Sequence, residues 1–266
     1  MYRFLLSRRW AVITLVALLL IPAMIRLGFW QLHRHEARVA RNELIGRNLT
    51  AAPVAFDSLS SPGWSVPTGQ TWKTVTATGS YDPAHEFVIR GRTEPGGSSI
   101  GYFVITPLRL ADGRGEVLVN RGWVESGTDA TSYPAVPAPP AGQVTVTGRL
   151  RADETTASSG IRDRGGLPDR QFKLINTAQQ AKATGAVLLG GYLELVSSVP
   201  AAGATPELLP EPDHSDIGPH MAYAVQWWLF TALVPVGLVV LARREAKELA
   251  AERKAGAGQD AALVDA

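Results

Sequence analysis

The sequence predicts two transmembrane α-helices flanking a mostly antiparallel β (α+β) extracytoplasmic domain, a small barrel or sandwich. Three observations predict it. Two blocks near the ends of the 266-residue chain hold much of its aliphatic content. The stretch between them, about 185 residues, has ordinary globular composition and is long enough to bury its own core. Within that stretch, apolar residues recur at every second position, the period of a half-buried strand.

Residues 1–9 form a short basic segment carrying Arg3, Arg8 and Arg9, and residues 10–32 form the first span. No small-x-small cleavage site follows the apolar run Trp10–Ile25, and its apolar character resumes after Arg26 as Leu27-Gly28-Phe29-Trp30-Gln31-Leu32. An uncleaved helix with Trp10 and Trp30 as interfacial anchors is therefore expected, in place of a signal peptide. Residues 33–219 make the extracytoplasmic domain. His33–Leu49 is rich in helix formers and extends the first helix. Pro53, Pro62-Gly63 and Pro67 mark a loop. Strands are expected over Trp72–Tyr81, Glu86–Arg90, Gly101–Leu110, Glu116–Val124 and Gln143–Arg151, with Asp112-Gly113 as a hairpin turn. Val136–Pro140 is a stiff connector and Gly160–Asp169 a polar loop. Asn176–Thr184 reads as a short helix, and Ala186–Val199 as one or two strands broken at Gly190-Gly191.

Residues 220–242 form the second span. From Met221 to Ala242 the run is about 22 residues, enough to cross about 30 Å of hydrocarbon. Residues 243–266 are a charged helical tail whose last ten or so residues are expected to lack order. Two spans put both termini on one side. Arg3, Arg8, Arg9, Arg243, Arg244 and Lys247 favour cytoplasmic termini, against Arg34, Arg38, Arg41 and Arg47 after the first span. The expected location is a bacterial plasma membrane, in contact with lipid, multi-pass, with both termini cytoplasmic.

A net charge of +2 and the absence of a basic patch interleaved with aromatics argue against a nucleic-acid partner. With no cysteine, disulfides, thiolate metal sites and thiol nucleophiles are excluded. Gly97-Ser98-Ser99-Ile100-Gly101 matches the hydrolase pattern G-x-S-x-G, but a Pro-Gly-Gly loop precedes it and a strand follows, the reverse of the order that chemistry needs. Asn48-Leu49-Thr50 is formally a glycosylation sequon and carries little weight. No motif points to an enzyme.

Four of the five histidines flank the spans: His33 and His35 after the first, His214 and His220 before the second. On a helix, His220, Tyr223 and Trp227 share one face, with Gln226 beside them. An imidazole there would suit a haem iron whose apolar body lies in lipid, with Arg26 or Arg34 pairing its propionates. The same residues also read as ordinary interfacial side chains, the commoner case on chemistry alone. His214, in Pro212-Asp213-His214-Ser215-Asp216, could bind a divalent cation weakly but reads more readily as part of a solvated linker. Asn120-Arg121-Gly122-Trp123 could form a binding edge but reads more readily as a structural strand end, its Arg pairing with a carboxylate or capping carbonyls and its Trp filling the core.

Four stretches together resemble the Surfeit locus protein 1 family. They are Leu27-Gly28-Phe29-Trp30-Gln31-Leu32-His33-Arg34, Gly101–Leu108, Val117-Leu118-Val119-Asn120-Arg121-Gly122-Trp123-Val124, and His220-x-x-Tyr223-Ala224-x-Gln226-Trp227. The resemblance covers about Trp10 to Arg244. Glu125–Ala141 matches little, and Arg38 stands where the family usually has lysine. The resemblance implies a non-enzymatic assembly factor for cytochrome c oxidase that helps haem a reach the haem-bearing catalytic subunit. It implies transient haem a binding with His220 as the iron ligand, Tyr223, Gln226 and Trp227 lining the pocket, and Arg26 and Arg34 near the propionates. The alternatives are a membrane scaffold that stabilises oxidase subunits without touching haem, and an anchored extracytoplasmic binding module.

Overall fold

The computed structural model describes residues 3–127, 129, 131–163 and 165–264, with the backbone alone at 3 and 256–264. The first two residues of the basic segment, one position of the polar loop and the last two of the tail lie outside the described residues. In chain order the elements are α1 (Arg8–Thr50), β1 (Val54–Ala55), α2 (Phe56–Leu59), β2 (Thr74–Tyr81), β3 (Phe87–Thr93), β4 (Ile100–Leu110), β5 (Glu116–Glu125), β6 (Gln143–Arg151), α3 (Thr156–Ser159), β7 (Gln171–Phe172), α4 (Thr177–Thr184), β8 (Leu188–Val199) and α5 (His220–Val264). They fall into two compact units, one of Met1–Asn42 with Ser215–Ala266 and one of Glu43–His214.

In the first unit, α1 and α5 are both long and apolar enough to cross a membrane. Their most apolar stretches have mean hydropathies of 2.3 and 1.9, yet only 17% and 6% of those stretches are buried. A soluble core helix would show the opposite, so these are the two helices of a membrane protein. The backbone of α5 stays helical to Val264, past the point where the tail was expected to lose order. Ala255, Ala257, Gln259, Ala261, Ala262 and Leu263 are good helix formers that continue the charged segment past Gly256 and Gly258, which accounts for the difference.

The second unit is a closed barrel. Strands β2, β6, β8, β5 and β4 pair in that order, and β4 pairs again with β2. Four of those five pairings are antiparallel, and β5 with β8 is parallel. β1 and β7 are two-residue strands lying parallel to β2 and β3, too short to leave a period in the sequence. Threonines outside and Val75 and Ala77 inside give β2 its alternation. Phe56, Leu108, Val117, Val119, Val146 and Leu193 are among the residues that fill the interior. The turn at Asp112-Gly113 forms as expected, with the Gly113 amide donating to the Leu110 carbonyl at 3.1 Å. Asn176 caps α4 by accepting from the Gln179 amide at 3.1 Å. Helix α4 then packs Ala181 on the outer cluster of Ile105, Leu118, Ile175 and Tyr192.

Closure is made by three residue pairs between β2 and β4, and Gly79 is its tightest point. Gly79 of β2 faces Leu110 of β4, and a side chain there would overlap the Arg109 carbonyl. Only glycine lets the two backbones approach closely enough to seal the ring.

One expectation needs correction. Strand β8 is not broken at Gly190-Gly191 but runs continuously from Leu188 to Val199. The loop at Ser60–Trp64 crosses it here: the Gly190 amide donates to the Ser61 carbonyl at 3.1 Å, and Ser60 Oγ donates to the Gly190 carbonyl at 2.8 Å. The glycines make room for that crossing strap and do not interrupt the strand.

At the far end of β5, Arg121 is the extra residue of a β-bulge between the Val104–Gly122 and Ile105–Asn120 pairs. The bulge turns its side chain into the protein, where it is only 2% exposed. There Nη1 donates to Glu86 Oε2 at 2.9 Å and Nη2 to the Pro137 carbonyl at 2.8 Å. Thr106 Oγ1 donates to the same Glu86 oxygen at 2.7 Å. The guanidinium also lies over the Tyr81 ring. Burial pushes that phenol up to about 12, against the opposing pull of Arg121. Trp123 is buried too, and its indole N–H donates to the Arg92 carbonyl at 2.9 Å. The Asn-Arg-Gly-Trp stretch is therefore structural, as expected, and it anchors the proline-rich connector. The sequon residue Asn48 is likewise buried, donating to the carbonyls of Gly69 and Thr71.

Two stability measurements on the full chain in detergent check this account. Arg121→Met leaves Glu86 buried without its cation and should cost about 3–5 kcal/mol, most of it recovered in Arg121→Met/Glu86→Leu. Gly79→Ala should cost about 1–3 kcal/mol by forcing β2 and β4 apart. Equal midpoints for wild type and Gly79→Ala in urea unfolding would contradict the closure argument.

Candidate functional site

Helices α1 and α5 pack antiparallel within their unit. Buried or half-buried positions on α1 include Trp10, Ile13, Ala17, Ile21, Met24, Gly28, Gln31, His35, Val39 and Asn42, stepping by three and four. On α5 they include His220, Ala224, Trp227, Thr231, Val234, Leu238 and Ala242, with Trp228 half-buried beside Trp227. A mean step near 3.5 residues keeps one seam facing its partner along two crossing helices. At one end the Trp10 indole donates to Glu245 Oε2 at 2.9 Å. Further along, Phe29 meets Trp228 edge to face, with ring centroids 5.7 Å apart. Gly28 lies directly beneath that indole, and any side chain there would overlap it.

Polar contacts gather at the other end of the seam. His220 opens α5, and its Nδ1 lies 2.9 Å from Gln31 Oε1. Nε2 has no hydrogen bond among the described residues. Gly218 precedes the helix at φ +65, and a side chain there would begin 3.5 Å from Nε2. Asp216 pins this turn to α1. Its Oδ1 accepts from the Gly218 amide at 2.8 Å, its Oδ2 from Arg38 at 2.9 Å, and its carbonyl from Arg38 and Asn42 at 3.0 Å each.

The other expected site residues divide. Trp227 is half-buried on the seam, and its carbonyl accepts from Thr231 Oγ1 at 2.9 Å. Tyr223 is 47% exposed, and Gln226 is exposed on a different side of α5, about 120° round the helix from His220. Arg26 is exposed on α1. Arg34 is exposed as well and lies over the Trp30 ring, 5.3 Å from its centroid. His33 is exposed, whereas His35 is half-buried with its Nδ1 buried and unpartnered among the described residues. His214 belongs to the barrel unit, beside the Pro212 carbonyl and Glu211. Gln31 was not among the expected site residues. Its signal was an amide within an apolar span, where a polar side chain needs a partner.

Among the described residues no three His, Asp or Glu side chains converge as a metal cage. At its polar end the seam offers the His220 imidazole, beside aromatic rings at the end of a pair of bilayer-length helices, with a second imidazole, His35, on the same seam.

A β-barrel domain carried between two such helices, with no catalytic grouping of side chains in the motifs read above, defines a membrane-anchored β-domain protein. Residues 18–232 match the model of the SURF1 family. An uncharacterized SURF1-like protein of Mycobacterium bovis and another of Mycobacterium tuberculosis are each 34% identical over 232 residues, covering 86% of this chain and 80% of theirs. A SURF1-like protein of Rickettsia felis is 28% identical over 109 residues, 41% of this chain and 45% of that protein. The chain belongs to the SURF1 family, as a bacterial member.

The packing account makes a direct prediction. Gly28→Ala should destabilise the helix pair by about 1–3 kcal/mol through overpacking against Trp228. Combining it with Trp228→Leu should cost less than the two single changes summed, because the second removes the clash. Thermal unfolding of the four proteins in one detergent reads the cycle, and strict additivity would mean the two residues do not meet.

Proposed function

We propose that this chain is an assembly factor for cytochrome c oxidase that carries haem a transiently on His220 and passes it to the haem-bearing catalytic subunit. Its role in this reading is that of a carrier and not a catalyst. The observation that carries it is the state of the His220 ring: one nitrogen engaged by Gln31, the other without a hydrogen bond, at the mouth of the helix pair. An imidazole with one nitrogen available is a donor suited to haem iron, and His220 would be the residue that holds it. When bound, the haem would supply an iron centre that this nitrogen could ligate.

The chain's own residues do the rest. Phe29, Trp227 and Trp228 give the neighbouring part of the helix pair an aromatic, apolar surface that suits the body of a porphyrin. Arg34, held over Trp30, is the cation nearest in sequence to Gln31 and suits a propionate at the boundary. Arg26 serves the same end less well, since it is exposed five residues deeper in the apolar run. Tyr223 and Gln226, also exposed, suit contact with lipid or with the oxidase subunit. A lone ligand fits transfer better than a closed two-ligand cage, because release then requires breaking one bond.

The membrane orientation belongs to the same reading: plasma membrane, two spans, both termini cytoplasmic, the barrel and His220 outside. The basic residues after the first span had argued the other way. Arg3, Arg8, Arg9, Arg243, Arg244 and Lys247 outnumber Arg34, Arg38, Arg41 and Arg47, which supports giving the terminal cations greater weight.

The test is to purify the full chain with haem a supplied and compare it with His220→Ala. The variant should lose the Soret band, and in a deletion strain it should fail to restore oxidase haem a content that the wild type restores. If His220→Ala keeps both haem and complementation, the ligand assignment is wrong. Co-purification with the oxidase that persists in a haem-free variant able to complement would indicate a scaffold instead.

A further inference from the structure

We infer that Gln31 is the positioning residue for His220: it holds the ring proton on Nδ1 and so presents Nε2 as the metal-binding nitrogen. This deepens the proposed function and rests on His220 being the ligand. A neutral imidazole has one donor and one acceptor nitrogen, and what its first nitrogen bonds to decides which is which. The atom of Gln31 placed 2.9 Å from Nδ1 is the amide oxygen, which only accepts. That bond needs a hydrogen on Nδ1, and the lone pair is then on Nε2. The opposite amide orientation would direct an N–H at Nδ1, put the proton on Nε2 and leave no nitrogen for a metal.

The next half-buried seam position is a control built into the helix. His35 lies one turn beyond Gln31, and its buried Nδ1 has no partner among the described residues. Nothing there fixes its proton, so of the two seam imidazoles Gln31 prepares one. Its choice as an amide also matters. Outer-shell carboxylates raise the basicity of a ligating imidazole and tighten its metal bond, whereas a neutral amide orients the ring with less tightening. That combination, orientation with easy release, suits a carrier.

The experiment uses the full chain in detergent with its five histidines labelled with nitrogen-15, and His220→Ala to assign the His220 signals. Without haem, the ring-nitrogen shifts should show Nδ1 protonated in the wild type and in Gln31→Glu, with that form depleted in Gln31→Leu. Ferric protohaem is then titrated. Gln31→Leu should bind about 10–100-fold more weakly, and Gln31→Glu at least as tightly as wild type. A wild-type His220 protonated on Nε2, or one whose tautomer is the same in Gln31→Leu, overturns the inference whether or not haem binds. A tautomer change with unaltered haem affinity overturns the positioning role. If wild type takes up no haem, the proposed function fails and the ring-nitrogen shifts alone decide whether Gln31 sets the tautomer.

Discussion

A polar side chain at the end of an apolar span is best satisfied by a partner within the protein, and at the His220 end of the helix pair that constraint joins Gln31 to His220. The strength of the bond is not what matters. Side-chain hydrogen bonds between membrane helices average about 0.6 kcal/mol, too little to hold two long helices together. The close approach at Gly28, which lets the Trp228 indole lie against α1, is the better candidate for that work. The Gln31–His220 pair instead restricts a ring that could otherwise turn. Asp216 restricts it from the other side, by fixing the turn from which α5 begins. Packing supplies the affinity between the helices, and the polar contacts supply the orientation.

The barrel follows a similar division. Its apolar interior and strand ladders supply the stabilisation, while buried ions specify particular connections. Removing both members of a buried ion pair often costs little, so the Arg121–Glu86 pair is better understood by what it connects. Through the Pro137 carbonyl it fastens the proline-rich connector to the end of β5. Arg149 does the same for the segment after β8, pairing with Glu194 and donating to the carbonyls of Leu209 and Pro210. Segments without regular structure are thereby held on a closed barrel that offers few edges for pairing.

This explains which features were legible in the sequence. Strands such as β2 and β6 announce themselves through local alternation, and the β4–β5 hairpin through Asp112-Gly113. The capped helix α4 is equally local, with Asn176 before it and Gly185 after it. What the sequence concealed is non-local. Continuity of β8 through Gly190-Gly191 depends on a loop more than a hundred residues earlier, and the parallel β5–β8 pairing depends on an intervening strand. The arginine of Asn-Arg-Gly-Trp could be read as paired, but its carboxylate partner on the segment before β3 could not.

The site shows the same limit. His220 stood out because a histidine at the mouth of an apolar helix is chemically conspicuous. Helical spacing and the family motif placed Tyr223, Trp227 and their neighbour Gln226 with it. The seam divides that set, because an antiparallel partner buries only one stripe of a helix: Trp227 lies on it, and Tyr223 and Gln226 do not. Gln31 is on the partner's stripe, 189 residues away in the chain, and no periodicity within either span relates it to His220. A site built between two helices is specified by their register. That register is set here by Trp10 with Glu245, Gly28 with Trp228 and Arg38 with Asp216. The residues that tune such a site are therefore found by asking which polar side chains in each span would be left without a partner if the other helix were absent.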